Sequence, residues 1–335
     1  MKRWLLGCFF LVLSSMTCLD GQAAAITDLK SVAVGSDRYV SLKDVAAFYG
    51  LSLSVPPGRF VYLRSKWNIL EFETQSRQCS INGVNVWLNA PVVSARGRWS
   101  ITETDVRKVV DPILRPHAYL GARRYRTVVI DPGHGGLDRG AKGRAGVEEK
   151  RAVLDIAKSV RAILVNEGLR VYMTRDTDRF IELADRSYKA TQWGADIFVS
   201  IHLNAATTSK PRGVETYVAS LSGYPSTSSP AGSRTKAESF SANRFDHSSD
   251  LLGYYVQKAL VQSTGADDRG LRRARFMVVK NSPCPAVLVE GGFLSNKYEE
   301  QKISTSAYRQ SIARGIAKGV LDYVNTVKKA QVAGP

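Results

Sequence analysis

The sequence predicts an α/β fold with a mainly parallel sheet and helices on both faces, preceded by a small strand-rich α+β domain. From residue 126 onward, apolar β-branched strands alternate with segments whose apolar residues recur at helical spacing. Residues 26–115 show short strands separated by turns. The length of 335 residues suits about two domains, and the content of 44% hydrophobic and 23% charged residues is normal for a globular protein.

The first 25 residues have the layout of a cleaved secretory signal. Lys2 and Arg3 precede an apolar stretch, and small residues follow it and end at Ala25. We therefore expect an exported protein of the periplasm or cell envelope. The apolar stretch is too short for a permanent membrane span, although an uncleaved anchor stays open as an alternative.

Residues 26–115 contain no cluster of catalytic residue types. The strand "YVSL" leads into a short helix ended by Gly50, and four further strands follow in "RFVYLRS", "NILEFET", "QCSING" and "VNVWLNAPVV". The stretch "VDPILRPHAYLGARRYR" is rich in proline and arginine, which indicates a linker at residues 116–125.

The predicted catalytic domain covers residues 126–328 and alternates strands with helices. Its predicted helices are 149–166, 182–193, 249–264 and about 305–326, and its predicted strands are "TVVID", "LRVYMTR", "ADIFVSIH", "GVETYV", "FMVVK" and "PAVLVEGG". Residues 220–249, rich in Ser, Pro and Gly, interrupt this alternation as a long insertion. Residues 329–335 are expected to form a frayed tail.

Polar side chains follow three of the predicted strands, where parallel α/β sheets collect their functional residues. His134 follows "VVIDPG", His202 closes "IFVSIH", and Glu290 closes "AVLVE", while Glu148 and Glu149 begin the first helix. Two imidazoles and one carboxylate are the protein ligands of a catalytic zinc ion. A second carboxylate would then serve as general base, so the pattern predicts a zinc hydrolase.

The glycine-rich stretch "VVIDPGHGGLDRG" also has to be compared with phosphate-binding loops. A dinucleotide loop needs a third glycine where this chain has Asp138, and the Gly-Lys-Ser/Thr ending of a P-loop is absent from the stretch. Both phosphate-binding interpretations are therefore disfavoured.

Six stretches resemble, in order, the zinc-dependent N-acetylmuramoyl-L-alanine amidases of the bacterial cell wall. They are "VVIDPGHGGLDRGAKG", "EEKRAVLDIA", "VYMTRDTDRFIELADR", "ADIFVSIHLNA", "GVETYV" and "PAVLVEGGFLSN", within about residues 125–326. The resemblance implies a phosphorylase/hydrolase-like fold and cleavage of the amide between N-acetylmuramic acid and the L-alanine of the stem peptide.

The same resemblance implies roles for individual residues. His134, Glu149 and His202 match the zinc ligands, and Glu290 matches the catalytic glutamate. Glu149 is preferred over Glu148 because the family's glutamate ligand precedes a lysine. Some regulated members of the family carry an inserted helix that blocks the zinc with a glutamate.

The insertion is the main departure from that family pattern. Glu238, the one acidic residue of "SRTKAESFSANR", is therefore a candidate regulatory residue. The Ser/Pro/Gly content of the insertion favours a looser loop over an inserted helix. The N-terminal part, residues 26–115, resembles the copper-amine-oxidase N-terminal-like domain of exported bacterial proteins, but it shows no copper site. The resemblance implies a domain that binds envelope material or positions the enzyme.

The charge balance favours an anionic partner. The chain has 47 Lys and Arg against 30 Asp and Glu, a net charge of +17. Export disfavours nucleic acid and leaves peptidoglycan as the expected partner, with an envelope activator protein as a further candidate. Two alternatives stay open: a wall-binding protein with an inactive hydrolase domain, and a zinc hydrolase that cleaves another bond, such as a carboxypeptidase or deacetylase.

Overall fold

The computed structural model describes residue 26 and residues 29–95, 97–120, 125–230 and 233–332. The expected secretory signal and part of the expected linker, residues 121–124, lie outside this set. Within the described residues no helix is both long and apolar enough to cross a bilayer.

The N-terminal part is built from short strands and helical turns. Its strands are β1 Ser31–Val34, β2 Asp37–Ser41, β3 Ser52–Ser54, β4 Phe60–Arg64, β5 Ile69–Glu73, β6 Gln78–Ile81, β7 Val84–Trp87, β8 Val93–Ala95 and β9 Arg98–Thr102. Its helices are α1 Leu42–Phe48, α2 Glu103–Asp105 and α3 Asp111–Leu114, with a π-helical turn at Val106–Val110 and a 3-10 turn at Pro116–Ala118. The structure thus confirms the strand-rich character that the sequence predicts.

The C-terminal part alternates strands and helices. Its strands are β10 Thr127–Pro132, β11 Arg170–Met173, β12 Ile197–Asn204, β13 Val214–Ala219, β14 Asp268–Ala274 and β15 Ala286–Phe293. Its helices are α4 Glu149–Asn166, α5 Leu183–Gln192, α6 Asp246–Thr264, α7 Met277–Lys280, α8 Lys297–Ile303 and α9 Ser306–Val332, with a 3-10 turn at Ser241–Phe245.

The main sheet is mixed, so the prediction of a mainly parallel sheet is wrong. Its eleven strands lie in the order β11-β10-β12-β15-β13-β14-β7-β6-β5-β4-β3. Strands β11, β10, β12 and β15 are mutually parallel, but β13 runs antiparallel to β15. Strand β7 pairs in parallel with β14, and the N-terminal strands β7 to β3 continue the sheet as an antiparallel meander. A separate sheet has the order β1-β2-β9-β8.

Three local predictions also need correction. "FMVVK" is predicted as a strand, but Met277–Lys280 form helix α7, and the strand lies earlier, at Asp268–Ala274. Helix α6 begins at Asp246, inside the predicted insertion. Residues 329–332 of the predicted frayed tail belong to helix α9, and residues 333–335 lie outside the described set.

Helices cover both faces of the catalytic strands. On one face α4, α6 and α9 pack over alternate residues such as Val199 and Val289, and this core continues into the N-terminal part. On the other face α5 and α7 pack over Phe198 and Leu288. His202 and Glu290 lie on the α5/α7 face, because side chains alternate along a strand.

The insertion contacts the N-terminal part of the chain. The buried guanidinium of Arg77 donates to the carbonyls of Thr227 and Ser229, at 2.5 and 2.8 Å. The hydroxyl of Tyr224 donates to Asp37 at 2.9 Å, and Arg234 forms an ion pair with the same carboxylate. The insertion therefore ties the two parts of the chain together.

Candidate active site

Three neighbouring parallel strands bring the predicted site residues together. His134 follows β10, while His202 lies near the end of β12 and Glu290 near the end of β15. His202 and Glu290 are direct partners across the β12–β15 pair. Glu149 is the first residue of α4, the helix that follows the histidine loop, and it is buried. The structure thus collects four of the predicted residues at one end of three strands.

Glu149 lies between the two histidines. Its Oε1 atom is 3.1 Å from Nε2 of His134 and 3.1 Å from Nδ1 of His202. One ligand atom from each of the three residues lies within 4.8 Å of the others, which is a spacing that could hold a metal ion. The neighbouring Glu148 instead forms an ion pair with Arg151 at 3.1 Å.

Backbone and side-chain contacts fix the orientation of these ligand groups. The amides of Ala141 and Leu203 donate to the two oxygens of Glu149 at 2.8 and 3.0 Å. Nδ1 of His134 lies 2.8 Å from Oδ2 of Asp138, which leaves Nε2 directed at Glu149. Carboxylate partners of this kind orient metal-binding histidines in proteins.

The charges of the cluster shift the pKa values of its members. Burial alone would raise the pKa of Glu149, but the hydrogen bonds with His134 and His202 hold it well below its ordinary value. Burial opposes protonation of His134, yet Glu149 and then Asp138 outweigh burial and raise the pKa of the imidazole. The site therefore keeps Glu149 as a carboxylate, the form that a cation requires.

Two glycines leave the space that the cluster occupies. A Cβ atom at Gly133 would lie 2.2 Å from the ring of His202, and one at Gly140 would lie 2.6 Å from both Glu149 and His134. His134 itself has a φ of +61°, a left-handed conformation that is uncommon outside glycine. The loop is thus shaped around the imidazole, and its glycines allow the close approach.

Two buried arginines hold the histidine loop in this shape. Arg175 donates to the carbonyls of Pro132 and Gly133, at 3.0 and 2.6 Å. Arg186 donates to the carbonyls of Pro132 and His134, at 2.9 and 3.0 Å. Arg186 also pairs at 2.9 Å with the fully buried Asp131, so the charge of the guanidinium is balanced.

Glu290 differs from the other acidic groups of the site because one of its oxygens has no partner. Its Oε2 atom is buried and accepts no hydrogen bond within the described residues. Burial, followed by the negative charges of Glu149 and Glu215, raises the pKa of Glu290 well above its ordinary value. Buried carboxylates are normally satisfied, so an orphaned one beside the His134–Glu149–His202 cluster makes Glu290 a candidate functional residue.

One cavity of about 420 Å³ contains His134, His202 and Glu290. The helices α5 and α7, the loops before them and strand β15 supply the apolar side chains of its walls: Phe180, Leu183, Phe276, Met277, Val278 and Leu288. Glu238 is exposed and does not line this cavity, so its regulatory role stays a prediction without structural support.

Sequence reasoning missed the residues that support the site. Asp138, Arg175 and Arg186 all lie within stretches that carry the family resemblance. No local sequence pattern, however, predicts which groups these side chains contact. Glu215 was also missed, although it lies directly across from Glu290 in the β13–β15 pair. Its buried carboxylate accepts hydrogen bonds from four side chains: Asn204, Tyr217, Arg269 and Arg272.

Comparison with known proteins identifies the family. The Amidase_3 family, described as N-acetylmuramoyl-L-alanine amidase, matches residues 128–322, the part of the chain that contains the whole cluster. The chain belongs to the N-acetylmuramoyl-L-alanine amidase family. The family match begins at residue 128, so it leaves the strands β1 to β9 unassigned.

Individual amidases are similar over the same region. The N-acetylmuramoyl-L-alanine amidase AmiA of Escherichia coli K12 is 38% identical over 219 residues, which is 59% of this chain and 76% of AmiA. The solved amidase AmiC2 of Nostoc punctiforme is 33% identical, with a TM-score of 0.51 over 60% of this chain and 97% of its own. An amidase from Clostridium difficile 630 is 34% identical, with a TM-score of 0.51 over 61% of this chain and 99% of its own.

Proposed function

We propose that the protein cleaves the amide between N-acetylmuramic acid and L-alanine with a zinc ion held by His134, Glu149 and His202. The three ligand atoms within 4.8 Å of one another support this proposal. So does the chemistry of the set, since two imidazoles and one carboxylate are a common ligand set of catalytic zinc. The space left by Gly133 and Gly140 further fits a cluster that must close around an ion.

The chain's own residues then supply the remaining chemistry. A zinc ion bound here would polarise the substrate carbonyl and lower the pKa of water to about 7. Glu290 acts as general base through its orphaned Oε2 atom, which takes a proton from the attacking water and passes it to the leaving nitrogen. Asp138 fixes the tautomer of His134, so that Nε2 remains available as a ligand.

The observation that carries this proposal is the combination, in one cavity, of the two histidines with an unpartnered carboxylate oxygen. A purely structural His-Glu-His cluster would have no need of a second carboxylate that lacks hydrogen-bond donors. An inactive wall-binding protein would be free to lose at least one of these groups.

Mass spectrometry of digested peptidoglycan tests the bond and the cofactor together. The full chain should release stem peptides with a free L-alanine amine, and a chelator should abolish the release until zinc is restored. Release of terminal amino acids or of acetate would instead identify a carboxypeptidase or a deacetylase. Unchanged activity after complete removal of metal would contradict the zinc proposal.

Export and a role in cell-wall remodelling or daughter-cell separation belong to the same proposal. The pattern of residues 1–25 supports export, and the mass of the mature N-terminus in secreted material would test it. An envelope activator protein stays a prediction.

A further inference from the structure

The main sheet does not end with the catalytic strands. Strand β14 pairs in parallel with β7, where Leu271 lies opposite Val86. The amide of Asn85 donates to the carboxylate of Asp268 at 2.8 Å, and Nε1 of Trp87 donates to the carbonyl of Arg269 at 3.1 Å. The faces of the catalytic sheet therefore continue into the N-terminal strands.

Strand register shows which residues share the face that carries Glu290. Paired residues on neighbouring strands point to the same side of a sheet, so the partners can be followed strand by strand. The side chains that lie on this face, taken strand by strand from β15 to β4, include Glu290, Glu215, Tyr217, Arg272, Trp87, Gln78, Ser80, Glu71, Glu73, Tyr62 and Phe60.

The side chains at the junction are in direct contact. The carboxylate of Glu215, opposite Glu290, accepts from Arg272 at 2.8 Å. The guanidinium of Arg272 in turn lies 4.6 Å from the ring centre of Trp87. A continuous layer of side chains thus leads from the proposed general base to the N-terminal strands.

Beyond Trp87 this face is open to solvent. Phe60 is 41% exposed and Gln78 is exposed, whereas Val61, Leu70 and Phe72 on the opposite face are buried. A shallow cavity of about 230 Å³ lies here, lined in part by Phe60, Glu71, Glu73, Gln78 and Ser80. An aromatic ring, two carboxylates and an amide thus lie on a surface that is partly open to solvent.

We propose that the outer face of strands β4 to β7 is a glycan-binding track that holds the polysaccharide backbone of the substrate beside the catalytic cavity. Sugar rings present C–H faces that stack on aromatic rings such as Phe60 and Trp87, and their hydroxyls donate to carboxylates and amides. The identity of the polymer rests on the proposed function; the track itself rests on the strand register.

The mixed polar character and the length of this surface favour a glycan over a polyanion. Glu73 is paired with Arg59 at 2.9 Å, and the guanidinium of Arg64 lies 4.3 Å from the ring centre of Tyr62. Acidic and basic groups therefore alternate here, and the surface is not a basic patch, despite the net charge of +17 on the whole chain. Three strand spacings separate β7 from β4, which at ~4.8 Å each is about 14 Å, room for a short stretch of sugar residues. The twist of the sheet turns this surface gradually, and a linear polymer can follow it.

Binding of a β-1,4-linked N-acetylglucosamine hexamer to the full chain tests the track. This probe lacks the amide that the enzyme cleaves, so titration calorimetry reports binding without turnover. Phe60→Ala should weaken binding about threefold to tenfold, the range that a single aromatic contact contributes. Gln78→Ala should weaken it by a similar factor, about twofold to tenfold, through the loss of a hydrogen bond. Trp67→Ala is the matched control, because Trp67 is 78% exposed in the turn after β4 and lies off the track.

A second measurement separates failure of the track from failure of the proposed function. On intact sacculi, the double variant Phe60→Ala/Gln78→Ala should raise KM at least about fivefold, while its rate on a soluble disaccharide-peptide should equal that of the unmodified chain. No binding of the hexamer by the unmodified chain, or equal binding by the double variant, would overturn the track. If the unmodified chain does not cleave the disaccharide-peptide, that result would instead contradict the amidase proposal.

Discussion

Nδ1 of His134 lies 2.8 Å from the carboxylate of Asp138, four residues along the same loop. This contact fixes which ring nitrogen of His134 faces Glu149, and it does so within a loop that Arg175 and Arg186 already hold by its carbonyls. The geometry of the proposed zinc ligands thus depends on residues that are not themselves proposed as ligands.

Asp138→Ala should therefore weaken zinc binding without removing any ligand. Loss of a carboxylate that orients a metal-bound histidine typically costs 10- to 100-fold in affinity, and we expect a loss of about that size. Competition with a zinc chelator measures the affinity. Asp176→Ala, which removes another exposed carboxylate from the loop after β11, is the control and should leave the affinity unchanged. Equal affinities in both variants would contradict the role of Asp138.

Glu290→Gln should abolish most activity while zinc remains bound. The amide keeps the shape of the side chain but cannot accept the proton, and loss of a general base typically costs about 10²- to 10⁴-fold in rate. Release of stem peptides gives the rate, and metal analysis of the same sample gives the zinc content. A rate near that of the unmodified protein would show that another group is the base.

Arg77→Met should destabilise the fold without activating the enzyme. The change leaves the carbonyls of Thr227 and Ser229 without their donor, which should lower the free energy of unfolding by about 1–3 kcal/mol. Urea denaturation measures the loss, and the rate per folded molecule should stay the same. A clear rise in that rate would indicate that the insertion restrains the active site, as the alternative with Glu238 requires.

Acid should destabilise the protein partly through His247. Burial, followed by the charge of Lys108, lowers the pKa of this imidazole to about 4, although Asp111 opposes the shift and Tyr119 stacks on the ring. The pKa of an imidazole in the unfolded chain is ~6.5, and that of His247 in the folded protein is about 4. Between these two pH values the unfolded chain binds a proton that the folded chain does not, so stability falls as the pH falls.

His247→Phe should remove this contribution, because phenylalanine can still stack on Tyr119 but does not titrate. The loss of unfolding free energy between pH 7 and pH 4.5 should shrink by about 1–2 kcal/mol, as measured by urea denaturation at the two values. His117→Gln is the control, since His117 is exposed. The same acid sensitivity in His247→Phe and the unmodified chain would exclude His247 as the cause.

The residues of the candidate site could be predicted because each lies in a short local pattern. A strand followed by His134, a strand closed by His202 and a strand closed by Glu290 become neighbours in any parallel arrangement of β10, β12 and β15. Their supporting contacts could not be predicted in this way. Asp131, for example, is satisfied by Arg186 and Ser200, which lie 55 and 69 residues away.

The errors in the fold arise where local patterns are ambiguous. "FMVVK" is a short apolar run, and such runs do not distinguish a strand from a buried helical turn. The direction of β13 depends on how its connections pass around the sheet, and no residue of "GVETYV" encodes it. The junction of β14 with β7 depends on contacts between Asp268 and Asn85, which are 183 residues apart in the sequence.

The pairing of β14 with β7 also affects how the enzyme can be divided. A fragment that begins at residue 126 would keep His134, Glu149, His202 and Glu290, and it would contain the entire family match. It would also leave β14 as an uncovered edge strand, with main-chain groups ready to pair with another molecule. We therefore expect such a fragment to self-associate in solution more readily than the full chain.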